Sequence, residues 1–188
     1  MPVVSFGSAR TTPKPPPIRT YGTPNQMPHT RLDQPVYDAA IAAMILVDTD
    51  AVIVDSRRQT FWLARRRIKP MKGLPWWIGG KLFPGEHEND GMSRSFKRET
   101  GLDIAPLRFR FQKMIRYFWP DREQTPQETG RDDLVFTFVV QLTDEELTAV
   151  QLDEEYEKGG LKEYTYADLE REGAHQAVLD LWKELFQI

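Results

Sequence analysis

The chain has 188 residues, 40% of them hydrophobic and 28% charged, which suits one soluble domain plus an extension, with enough apolar residues for a core. A formal net charge of -3 argues against a mainly electrostatic nucleic-acid binder. The lack of any cysteine excludes disulfides, thiolate metal sites and cysteine nucleophiles. No apolar run approaches the roughly 20 residues needed to span a bilayer, and MPVVSFGSAR does not read as a secretory signal, so the expected location is cytoplasmic.

Residues 1–35 form a proline-rich N-terminal extension, holding eight of the 14 prolines, with Arg10, Lys14, Arg19 and Arg31 against the single acid Asp33. Proline fixes φ and offers no N–H, so TPKPPPI is expected to be extended. It reads either as a surface-draped tail or as an arm that packs on a second subunit or over the site. Residues 36–188 form the folded domain.

DAAIAAMILVD and AVIVDS read as two strands around a turn at Asp48-Thr49-Asp50, and FWLARR as a third strand that ends in Arg65, Arg66 and Arg67. IKPMKGLP is a loop, and WWIGG a short apolar run. HENDGMSRSFKRETGL predicts a helix with Met92 and Phe96 on its apolar face and Gly101 as its stop. Gly91 within it costs about 1 kcal/mol relative to alanine, so the helix is expected to begin or bend there. LRFRFQKMIRYFW alternates as a half-buried strand, PDREQTPQETGRDD is a polar loop, and LVFTFVVQL is another strand. TDEEL, ADLERE and HQAVLDLWKELF are helices, with LKEYTY a last strand among them. This order predicts an α/β fold, an α/β/α sandwich around a central mixed β-sheet.

From Gly80 to Leu102 the sequence reads G-KLFPG-E-HENDGMS-R-S-F-K-R-E-T-G-L. Its spacing resembles the Nudix hydrolase signature, G-x5-E-x7-R-E-U-x-E-E-x-G-U with U a bulky apolar residue. Gly80, Glu86, Arg94, Phe96, Glu99, Gly101 and Leu102 match. The resemblance implies that helical carboxylates and the Gly80 carbonyl hold Mg²⁺ or Mn²⁺ against a diphosphate, while Glu86 and Arg94 brace the loop. Positions 95, 98 and 99 share one helical face. Here the first two are Ser95 and Arg98, so Glu99 alone remains of the three glutamates, and one metal or none is expected.

The same two losses resemble the GDP-mannose mannosyl hydrolase branch, which uses one metal and attacks the sugar's anomeric carbon. That likeness implies phosphate-binding roles for Arg66 and Lys81, with Arg65 beside them. It aligns Glu155 with a metal-ligand position and Tyr156 with a general-base position, although tyrosine is a poor base near neutral pH. Glu154, Glu155 or Glu157 are alternative bases. His87 reads as an exposed loop residue or a site residue, and His175 as a surface or capping residue. Trp76-Trp77 and Phe61-Trp62 are core residues or a nucleobase platform, with Tyr117 and Phe118 as alternatives for stacking.

Two functions follow. One is a Mg²⁺-dependent hydrolase of nucleoside diphosphate-linked small molecules, sugar nucleotides such as GDP-mannose foremost, and dimeric like the branch. The other is a Nudix-like nucleotide-binding or regulatory domain without turnover. A second carboxylate beside Glu99 supports the first, and Arg98 folded over Glu99 supports the second.

Overall fold

The computed structural model describes Ile18, Tyr21 and residues 32–186, so the readings of the proline-rich extension lie almost wholly outside the described residues. The first element, α1 (Gln34–Ala43), is a helix where a strand was expected. Proline in its first turn and the alanines that follow favour this conformation. The strand then runs unbroken through Asp48-Thr49-Asp50 as β1 (Leu46–Asp55). The turn falls instead at 56–59, where the Asp55 carboxylate accepts the N–H groups of Arg57 and Arg58 at 2.9 and 3.0 Å.

The remaining strands are β2 (Thr60–Arg65), β3 (Pro75–Trp76), β4 (Ile78–Lys81), β5 (Arg110–Trp119), β6 (Arg131–Val140) and β7 (Lys162–Tyr164). The helices are α2 (Glu88–Thr100), α3 (Asp144–Ala149), α4 (Tyr166–Arg171) and α5 (Gln176–Phe186). The mixed sheet has the order β3-β2-β1-β6-β5, with β4 on β1 and β7 on β2. Among the described residues, only β1 and β6 run parallel.

One edge of β1 is divided: 53–55 pair with β2, while 48–51 pair with β4. Between β3 and β4 the chain crosses at Trp77 from the β2 side to the β1 side, leaving a fork. Helix α2 covers one face through Met92 and Phe96, which pack on Ala51, Ile53 and Ile78. Helices α4 and α5 cover the other through Leu169, Val178, Leu181 and Trp182. Burying each such side chain stabilises the fold by about 1.5–3 kcal/mol. This is the expected α/β/α sandwich. Among the described residues no helix is long and apolar enough to cross a membrane.

Helix α2 starts before Gly91 and ends on Gly101, whose φ of 74° is left-handed. Gly91 lies in its first turn, where a Cβ would stand 2.5 Å from Leu82 Cδ1. Its use is close packing rather than a bend.

Candidate active site

Glu99 is the penultimate residue of α2 and points into the fork, with 1% of its surface exposed. Its Oε2 accepts the Gly79 N–H at 3.1 Å and the Tyr156 hydroxyl. Its Oε1 accepts Arg98 Nη2. Burial raises the Glu99 carboxyl to about 7, against the pull of Arg98, Tyr156 and Gly79 in the other direction.

The loop from 151 to 157 reaches Glu99 because backbone groups pin it at both ends. The Gln151 and Asp153 N–H groups donate to the carbonyls of Thr100 and Glu99 at 2.8 and 3.0 Å. Those helix-end carbonyls have no partner within the helix. On the other side Arg67 N–H donates to Glu155, and Glu157 N–H to Arg65, both at 2.8 Å. Arg66 and Tyr156 form a bridge between these contacts.

Glu99, Asp153 and Glu155 thereby each offer one carboxylate oxygen, all within 4.8 Å of one another. Hard oxygen donors at this separation suit one Mg²⁺ or Mn²⁺ ion. A cationic side chain already lies among them. Arg98 Nη1 donates to Asp153 Oδ2 at 3.1 Å and Glu155 Oε1 at 3.3 Å, and its Nη2 to Glu99. The donor set therefore fits an ion on condition that Arg98 moves aside. Burial works against the Arg98 charge, but the three carboxylates outweigh it and raise its pKa.

The rest of the box holds its loop. Arg94 grips Glu86 with Nε on Oε1 at 2.6 Å and Nη2 on Oε2 at 2.9 Å, and reaches the Lys81 carbonyl at 2.7 Å. Glu86 Oε2 also accepts the Phe83 N–H at 2.9 Å. These contacts tie Glu86 to the loop that precedes α2. The Gly80 carbonyl accepts Thr49 Oγ1 at 3.3 Å. A Cβ on Gly80 would stand 3.0 Å from Ser95 Oγ and 3.3 Å from Arg98 Nη2, placing this residue beside the cluster.

Arg66 lies near the carboxylate cluster, its Nη2 3.7 Å from Glu155 Oε2. Arg65 does not. Alternation along β2 turns it away, and it pairs with Glu172 and the Gly73 carbonyl. Lys81 pairs across the sheet with Asp48, on the face opposite Gly80, and lies 4.8 Å from the centre of the Tyr37 ring. Tyr117 is buried on the α5 side of the sheet, stacked on Trp119 with ring centres 4.7 Å apart, and presents no open face for a base. Burial, then the charges of Asp50 and Asp133, raise its hydroxyl pKa.

Tyr156 departs furthest from its expected role. Burial first, then the Glu99 charge, hold its pKa well above 10, so it is a neutral donor to Glu99 and not a base. His87 is an exposed residue at the start of α2. His175 caps α5 through Nδ1, which accepts the Ala177 N–H at 3.1 Å, and packs among Trp76, Tyr117 and Trp119. Trp76 and Trp77 are core residues, and Phe118 is exposed.

Two residues were not singled out from sequence. Asp153 lies within the acidic run, where nothing distinguishes it from its neighbours until the loop docks on α2. Asp50 was read as a turn residue. A Cβ on Gly79 would stand 2.0 Å from its Oδ1, so glycine there makes room for this carboxylate. Burial and then Asp48 raise the Asp50 pKa well above the usual range, Arg66 opposes them, and Glu99 adds to the rise.

The NUDIX domain family profile matches residues 44–182. No curated protein matches the chain significantly in sequence. Among solved structures, a MutT NUDIX hydrolase from Burkholderia pseudomallei has a TM-score of 0.58 at 16% identity, over 76% of this chain and 98% of that one. A MutT protein from Methanosarcina mazei Go1 has a TM-score of 0.56 at 17% identity, over 75% and 92%. The NUDIX domain of Shewanella oneidensis NrtR, in complex with ADP-ribose, has a TM-score of 0.55 at 15% identity, over 75% and 88%. At these identities the likeness concerns the fold.

Proposed function

This chain belongs to the NUDIX domain family, and on that premise we propose that it hydrolyses nucleoside diphosphate-linked small molecules with one Mg²⁺ or Mn²⁺ ion. Sugar nucleotides such as GDP-mannose are the favoured substrates, and the cytoplasm the favoured location. The observation that carries the reading is the convergence of Glu99, Asp153 and Glu155 on one point. Box helix and following loop together supply the acidic ligands that Ser95 and Arg98 no longer give the helix.

Glu99, Glu155 and Asp153, with the Gly80 carbonyl, would hold the ion, which when bound offsets negative charge on the leaving diphosphate. Arg66 presents a guanidinium at the rim, suited to a phosphate oxygen pair. Tyr156 and the Gly79 N–H orient Glu99 and hold its charge in a buried place. With Tyr156 fixed as a donor, exposed Glu154 and Glu157 remain as acceptors for the proton of the attacking water.

The test is turnover of a sugar-nucleotide and ADP-ribose panel with and without Mg²⁺, beside calorimetry with GDP, ADP and UDP. The reading requires metal-dependent product release that Glu99→Gln abolishes. Free sugar with nucleoside diphosphate means attack at carbon; sugar phosphate with nucleoside monophosphate means attack at phosphorus.

A second reading, a nucleotide-binding domain without turnover, draws on the contact of Arg98 with all three carboxylates. Nucleotide binding that persists without metal, with no substrate hydrolysed, would establish it. Sedimentation of the full chain tests the dimer expected of the resembled branch.

A further inference from the structure

The three carboxylates that would receive a divalent cation are tied together by one guanidinium. Arg98 reaches Glu99 through Nη2, and Asp153 and Glu155 through Nη1 at 3.1 and 3.3 Å. The partners differ in freedom. The Glu99 side chain is 1% exposed and anchored by Gly79 and Tyr156, whereas the Arg98 side chain is 48% exposed. Arg98 can leave toward solvent on its own torsions; Glu99 cannot follow. A Cβ on Gly80 would meet both Arg98 Nη2 and the Ser95 hydroxyl, which is fully buried and has no hydrogen-bond partner among the described residues. A buried hydroxyl in that state favours an arrangement in which it gains one.

A dication and a guanidinium cannot both occupy one set of carboxylates, because each repels the other at contact distance. A diphosphate arriving at the rim offers Arg98 a planar two-oxygen partner as good as the carboxylates it would leave. We propose that Arg98 is a built-in competitor of the metal ion. It keeps the carboxylate cluster closed until a nucleoside diphosphate draws the guanidinium off, so that metal binds with the nucleotide rather than before it. The proposal rests on the one-ion reading above, and makes position 98 a control on metal entry.

Its test is Mn²⁺ binding by the full chain, followed by electron paramagnetic resonance, with and without GDP and corrected for the Mn²⁺–GDP complex in solution. In the unaltered chain, GDP is expected to tighten Mn²⁺ binding by about tenfold or more, a usual size for coupled sites. Arg98→Gln is expected to bind Mn²⁺ about tenfold tighter without GDP, and to gain less from adding it. Arg98→Lys keeps the charge but loses the fork, and should fall between the two. If the unaltered chain binds Mn²⁺ and Arg98→Gln binds it no tighter, the competitor role is refuted while the one-ion reading stands. If no form binds Mn²⁺ under either condition, both are refuted. Should Arg98→Gln fold poorly, nitrogen NMR of the Arg98 guanidinium in the unaltered chain decides: the resonance must shift on adding GDP with Mg²⁺, and an unmoved resonance overturns the role.

Discussion

Tyr156→Phe removes a single hydroxyl that donates to Glu99 Oε2, with both residues almost wholly buried. A hydrogen bond to a charged group in such a place contributes about 1.5–3 kcal/mol, equivalent to about one to two pKa units. Glu99 stands at about 7 with that bond present. Without it the carboxyl should rise by about one to two further units, since Gly79 and Arg98 stay in place. At pH 7.5 the unaltered chain then has Glu99 mostly ionised and the variant mostly protonated. Carbon NMR of the metal-free chain, labelled at glutamate carboxyls, reads this directly. An unchanged or lower Glu99 pKa in the variant would refute the reasoning, and would mean that the hydroxyl serves the Trp77 carbonyl, 3.5 Å away, instead.

The sign for stability follows from the same group. Its folded pKa lies above the ordinary 4.5, so the protonated form is the one the fold favours. That contribution is complete below about pH 4.5 and is lost as pH rises through about 7, amounting to about 3 kcal/mol. In urea unfolding, Glu99→Gln should therefore gain stability relative to the unaltered chain between pH 5 and pH 8; a pH-independent difference would contradict this. Glu86→Gln loses one arm of the grip on Arg94 and should lower stability by about 1–2 kcal/mol, visible as a lower thermal midpoint. Gly79→Ala puts a Cβ 2.0 Å from Asp50 Oδ1 and 2.3 Å from the Thr49 carbonyl, which cannot give way without parting β4 from β1. A loss of about 3 kcal/mol or more is expected, measured by denaturant midpoint. Arg65→Met should destabilise the chain through Glu172 yet leave GDP affinity by calorimetry unchanged, and a weakened affinity would return Arg65 to the site.

The layered fold and the box were legible because both rest on periodicity. The spacing of Met92, Phe96 and Glu99 fixes the faces of α2 whatever surrounds it, and Gly101 marks its end by a conformation few residues adopt. The first strand was misread because Asp48 and Asp50 look like turn residues. They are strand residues facing inward, with Asp48 held by Arg131 at 3.1 Å. Polar residues in a strand carry the same letters as polar residues in a turn, and only the partner across the sheet separates them. Arg65 and Arg66 show the converse. Both are basic at a strand end, but alternation sends one to the site and its neighbour to the opposite face.

The part of the site least visible in sequence is the loop from 151 to 157, and the reason is chemical. It is placed by its own backbone, whose N–H groups meet the last carbonyls of α2 and whose far end is stitched to β2. Backbone donors leave no mark on side-chain identity, so Asp153 could not be told from Glu154. Once that loop is docked, the arginine at position 98 changes meaning. Read along the helix, it is a cation where a metal ligand belongs. Read in space, it is the counter-charge that lets Glu99 be buried beside two further carboxylates in the absence of an ion. The criteria for an active and an inactive site are therefore met by the same residues: carboxylates close enough to share an ion, and an arginine folded over them. What separates the two outcomes is mobility. The anchored partner is Glu99 and the half-exposed one is the cation, so displacement of Arg98 leaves Glu99 held by Gly79 and Tyr156.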